Sequence, residues 1–272
     1  MNPSEKLSPK SSAFHPLLVF ILLIPIGLGA AWPVFQNDLT KSDFSFLLKL
    51  NSTPGRPALA ALHYSPAKAD IPPIPLLFFS FSTSFWGFSP TGYRLTALSL
   101  QILSAWALFL LLRKWKLPAA LSFLTVILFL IHPLAGETLE KLPATGELIG
   151  NLFSLLALIT LTGYYQDSCA RSRYLFFSAC FFILSLLSSH LFICLPLFIF
   201  FPAHFSRDRE DTGRRKKYYI RAGAVFFLIA AVYLAVMWVK TEGSEQIASN
   251  PFITLKILQL PGETFRLFRL LL

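Results

Sequence analysis

Residues 15–34, "HPLLVFILLIPIGLGAAWPV", contain no Asp, Glu, Lys or Arg, and stretches of the same apolar kind recur near 92–112, 118–131, 147–165, 174–188, 191–205 and 221–239. This recurrence constrains the fold more than any other feature. A hydrocarbon layer about 30 Å thick takes roughly 20 residues of α-helix to cross. Backbone groups left unpaired in lipid are costly, and the alternating short strands of a barrel are absent, so the spans read as helices. The expected architecture is an all-α multi-pass integral membrane protein with about seven transmembrane helices. Composition agrees: 54% of the 272 residues are hydrophobic and only 14% are charged, outside the range of ordinary soluble domains.

A net charge of +10 suggests either nucleic acid or basic cytoplasmic loops, and its distribution favours the loops. With the N-terminus inside, the cytoplasmic segments hold Lys6, Lys10, "RKWK" at 113–116, Arg171 with Arg173, and "RDREDTGRRKKYYIR" at 207–221. Nine of the fourteen acidic residues fall on the other side. No nucleic-acid partner is expected. The first span exceeds the usual length of a signal-peptide core, so it reads as a retained anchor. The expected organisation is a cytoplasmic tail at 1–14, a transmembrane domain at 15–240 with an exoplasmic loop at 36–91, and an exoplasmic segment at 241–272 leading to a further, cut-short span. The membrane would be the plasma or inner membrane of a bacterium, or the endoplasmic reticulum of a eukaryote.

Within the first loop, "DFSFLLKL" at 43–50 and "PPIPLLFFSFSTSFWGF" at 72–88 fit interfacial helices, with Trp86 at headgroup level. The spans at 174–188 and 191–205 are separated only by "SSH" and form an expected helical hairpin. Cys169, Cys180 and Cys194 are too few and too scattered for a disulfide framework or a metal site. No internal repeat is found, which counts against an inverted-repeat transporter.

The stretch "LFLIHPLAGETLEKLPATGELIG" at 128–150 interrupts the apolar pattern with His132 and Pro133, then sets Glu137, Glu140 and Glu147 among glycines and a second proline. On the charge argument it is an exoplasmic loop. Acidic groups gathered there, with Asp38 just after the first span, suit chemistry at the outer surface on a lipid-borne substrate.

Taken in order, "WPVFQNDLT", "SFWGFSPTGYRLTALSLQILSAWALFLLLRK", the 128–150 stretch and "LSLLSSHLFICLPLFIF" resemble successive segments of the GT-C-type membrane glycosyltransferases. The branch resembled is that of the transmembrane and tetratricopeptide-repeat O-mannosyltransferases and their bacterial relatives. The resemblance implies a polyprenyl-phosphate sugar as donor and a protein or glycan hydroxyl as acceptor, with membrane lipids around both and no firmly implied cofactor. It implies Asp38 as the catalytic base on the acceptor hydroxyl. His132 and Glu137 match a third-span motif, and Gly146 with Glu147 match a later glycine–acid element. Polar positions depart from the pattern: Leu39 stands where a second acid is usual, Thr145 where an arginine is, and Ser189 with His190 where a Lys-Glu pair is. The donor phosphate is then left to Arg94, Lys141 or Lys240. A divalent cation shared by Asp38 and Glu137 is a further expectation. Two other readings compete, a catalytically silent or truncated scaffold with the same fold, and a transporter or flippase of a lipid-linked substrate.

Overall fold

The computed structural model describes residues 15–37, 43, 72–87, 89–166, 171–199 and 212–242. The expectations for Asp38, for the interfacial helix at 43–50 apart from Asp43, for the Lys240 side chain, for the tail before residue 15 and for the segment after residue 242 lie outside the described residues. Among the described residues every regular element is helical: α1 (Pro16–Gln36), α2 (Pro73–Trp86), α3 (Pro90–Lys114), α4 (Ala119–Ile131), α5 (Pro133–Glu140), α6 (Thr145–Gln166), α7 (Arg171–Ser188) and α8 (Thr212–Glu242). Two 3-10 helices, Leu142–Ala144 and His190–Ile199, stand before α6 and after α7.

Proline explains many of the helix starts. Helices α1, α2, α3 and α5 carry Pro in the first two positions, where the missing N–H has no intrahelical partner to lose and the fixed φ already suits the helix. Pro25 and Pro33 stand inside α1 without ending it, as membrane-crossing helices tolerate.

Four helices are long and apolar enough to cross a membrane: Pro16–Gln36, Pro90–Lys114, Leu142–Gln166 and Ile220–Trp238. A fifth arises if α4 and α5, bent by 47° at their junction, count as one span. The expectation of seven is thus met, by length and composition, for four to five. The remaining two differ in form. Helix α7 is apolar but shorter, and the stretch expected as a span at 191–205 begins as a 3-10 helix containing Pro196. Pro196 has no N–H to give to the carbonyl four residues back, so a regular α-helix is interrupted there.

The 128–150 stretch is also not the loop that its glycines and prolines suggest. It is helical except at His132 and Lys141. Pro133 ends α4 by withholding an N–H and at once starts α5, whose N-cap is His132.

Packing divides into two cores. In one, Val19 and Leu23 of α1 meet Leu98, Ile102 and Phe109 of α3 and Val126 and Leu130 of α4. In the other, Leu158 and Leu161 of α6 meet Phe182 and Leu186 of α7 and Phe226 of α8. The Phe182 and Phe226 rings stack there at 4.8 Å. Helices α6 and α7 approach closely enough for Ser178 Oγ to donate to the Ala157 carbonyl at 2.7 Å and Ser185 Oγ to the Gly150 carbonyl at 2.9 Å. The outer surface is apolar as well: Leu17, Ile21, Trp32, Leu124, Phe176, Leu228 and Trp238 are all exposed. A surface of this kind is unfavourable in water and is compatible with an integral membrane protein.

Candidate functional site at the polar end of the bundle

The end of α1, the starts of α2, α3 and α6, the whole of α5 and the end of α7 come together at one end of the bundle. Asn37, directly after α1, ties three elements. Its side-chain amide donates to Glu140 Oε1 at 3.1 Å, and its carbonyl accepts from Arg94 Nη1. Arg94, in the first turns of α3, is 3% exposed. Its charge therefore lies inside the bundle rather than on its rim. Asp43 is fully buried, and its Oδ1 accepts the Leu142 N–H at 3.0 Å. It satisfies one of the otherwise orphaned donors of the 3-10 turn that leads into α6.

Glu137 and Lys141 form an exposed ion pair at 2.5 Å, one helical turn apart. The Glu137 hydrogen bond, then its charge, holds the Lys141 ammonium pKa above the usual lysine value, and Glu140 and Glu147 add to the effect. Glu147 sits in the first turn of α6, where the positive end of the helix dipole favours a carboxylate. His190, Glu137 and Lys141 all lie near enough to act on it electrostatically. Gly146 makes this meeting possible. A Cβ there would lie 2.8 Å from Pro75 Cγ and 3.1 Å from the Ser188 carbonyl oxygen, so a side chain would push apart the start of α2 and the end of α7.

His132 plays a local part: its Nδ1 accepts the Leu134 N–H at 3.3 Å and caps α5. It also lines a cavity of about 120 Å³ between α1, α3 and the α4–α5 bend, together with Gln101 of α3. A larger, almost wholly apolar groove of about 460 Å³ runs between α7 and α8, with Pro73 at the start of α2 also in its lining.

Of the residues singled out from the sequence, Glu137, Lys141 and Glu147 share one patch. Arg94 reaches it through Asn37, and His132 stands at the opposite end of α5. Asp38 directly follows Asn37 but lies outside the described residues. Asn37, Glu140, Asp43, His190 and Gln101 join the site without having been chosen as site residues. Asp43 and Asn37 are linked to partners 99 and 103 residues away, and no local pattern announces such pairs. Among the described residues no group of three His, Cys, Asp or Glu side chains is placed to hold a metal ion.

Fold and site together define a class: a helical bundle with an apolar exterior, compatible with an integral membrane protein, in which the carboxylates Asp43, Glu137, Glu140 and Glu147 gather at one end. Comparison with protein-family models, with curated proteins and with solved structures finds no match to the chain.

Proposed function

We propose that the chain is a membrane glycosyltransferase that moves a sugar from a polyprenyl-phosphate donor to a hydroxyl of a protein or glycan on the exoplasmic side. The observation that carries this reading is a juxtaposition. The apolar groove between α7 and α8 includes Pro73 in its lining, and Pro75, two residues on, lies against the start of α6, one residue before Glu147. A ligand with an isoprenoid tail and a charged head matches that pairing of an apolar channel with a charged helix-end cluster. Asp38 is the base that takes the proton of the attacking hydroxyl. Arg94, buried and bonded to the preceding residue, positions the Asp38 segment. Lys141 is the exposed cation available to the departing phosphate. His132, Glu137 and Glu147 orient the polar part of the substrates, with any divalent cation falling to Asp38 and Glu137. The N-terminus is cytoplasmic in this scheme.

One observation favours a second reading, a non-catalytic scaffold. The Glu137–Lys141, Asn37–Glu140 and Arg94–Asn37 contacts pair these polar groups with one another, as in a clasp between helix ends. Transfer of labelled sugar from a polyprenyl phosphate, measured for the purified parent and Asp38→Asn at matched folded amounts, separates the two. Loss of transfer in the variant alone supports the enzyme. Equal rates remove Asp38 from the mechanism, and an inactive parent supports the scaffold.

A further inference from the structure

The 120 Å³ cavity at the α4–α5 bend is polar where its surroundings are not. Gln101 lines it and is 3% exposed, yet no hydrogen bond joins its amide to any described residue. One turn further along α3, the Ser104 hydroxyl is fully buried and also lacks a partner among the described residues. The Gln101 amide borders the cavity instead of being sealed in protein, so its donors and its acceptor are open to whatever fills that space.

The bend supplies further polar groups. In an unbroken helix the carbonyls of Phe129 and Leu130 would accept from residues 133 and 134. Pro133 has no N–H, and the Leu134 N–H is given to the His132 ring. Leu130 and Ile131 line the cavity, so the helix end that loses these donors stands beside it. Because His132 Nδ1 accepts a hydrogen bond, the neutral ring carries its proton on Nε2, a donor. The remaining lining includes Gly27, Ala30, Ala31 and Gly136, whose small side chains keep the space open. At liquid density the volume corresponds to roughly four water molecules.

No charged side chain lines the cavity, which disfavours an ion. An amide that both donates and accepts, carbonyls that accept and an imidazole N–H that donates together match a group that also does both. We propose that this cavity is a binding site for a small uncharged hydroxyl-bearing ligand, a polyol or the hydroxyl edge of a sugar, held by Gln101, His132 and the open carbonyls at the end of α4. Such a ligand would bind here whether or not the chain transfers sugars.

Saturation-transfer NMR on the full chain in lipid nanodiscs, with glycerol and methyl glucoside as probes, tests the site. Transfer to glycerol is expected, and transfer to the glucoside as well would extend the ligand class to a sugar edge. Gln101→Leu removes an amide without a partner, so it should fold at least as well as the parent, yet weaken glycerol binding about tenfold, the equivalent of roughly 1.4 kcal/mol. Ala31→Phe, which fills the cavity, should abolish transfer, whereas Leu121→Phe on the exposed face of α4 should leave it unchanged. Equal signals in the parent, Gln101→Leu and Ala31→Phe would identify adventitious contact and overturn the proposal, as would no transfer to either probe in the parent. Should Ala31→Phe fail to fold, Gln101→Leu alone decides.

Discussion

Between α6 and α7, which form a hairpin, contacts across the helices are made by neutral hydroxyls, with Ser178 and Ser185 each donating to a carbonyl of the neighbouring helix. At the end of the bundle they are charged or amide groups at helix termini: Asn37, Asp43, Glu137, Glu140 and Lys141. The hairpin holds two helices together through small residues and short hydrogen bonds. The polar end holds helix starts and stops in register across long stretches of sequence, and it is there that ionisable groups stand where a second molecule can reach them. The hairpin hydroxyls thus join backbones in mid-helix, whereas Glu137 and Lys141 stand exposed at a helix end, a division between holding the bundle and facing outward.

The largest test of that division is Asp38→Asn. If the polar end is catalytic, sugar transfer falls by about a hundredfold to ten-thousandfold while the thermal unfolding midpoint in detergent stays near that of the parent. A matched loss of folding would make the polar end structural, like the hairpin.

Next in size is Gly150→Leu. Even a Cβ at this position would lie 2.4 Å from the Phe192 ring, so overpacking should cost about 1–3 kcal/mol in reversible detergent unfolding. Gly223→Ala in α8, where nothing lies within 4 Å of an added Cβ, should instead be neutral or stabilise by up to about 1 kcal/mol through helix propensity. Equal costs at the two positions would mean that close approach does not limit the packing of α6 against the 3-10 helix that follows α7. Ser178→Ala and Ser185→Ala should each lose about 0.6 kcal/mol, the usual size of an interhelical hydrogen bond in a membrane. A much larger loss would mean that these hydroxyls do more than join two backbones.

The smallest effect is expected at Glu137→Gln. The ion pair with Lys141 is exposed on both sides, so no measurable shift in unfolding midpoint should follow. The sign of any pH dependence is fixed by the raised Lys141 pKa. The charged ammonium and its tie to Glu137 persist through neutral pH and are lost only as pH rises past the elevated lysine value. Alkaline titration of Lys141 by NMR in the parent and in Glu137→Gln should show a lower value in the variant.

The long helices were legible because apolar length is a local property. Residues 16–36, 90–114, 145–166 and 212–242 cover their expected spans within a few positions to about a turn, except that α8 begins some nine residues earlier. The bend at His132 is visible in the sequence as punctuation, and proline and glycine there suggest a loop. In fact Pro133 closes one helix and opens the next in a single step. The 3-10 helix after α7 was hidden because hydropathy does not report which hydrogen-bond pattern an apolar stretch adopts. The candidate site was legible in its acids but not in its partners. Glu140 was visible as one more loop carboxylate, yet its contact with Asn37 exists only once α1 and α5 are packed, and Gln101 became a candidate only through the space beside it.

Helix α4 has 13 residues, about 20 Å of rise, against about 30 Å of hydrocarbon. Its neighbour α3 has 25. Set side by side in one bilayer, the two demand different local thicknesses, and lipid beside a short element thins to meet it. Were α4 to cross without α5, the headgroup layer would dip on its side and bring water down towards His132 and the mouth of the Gln101 cavity, whereas α4 and α5 joined as one bent span would keep that depth dry.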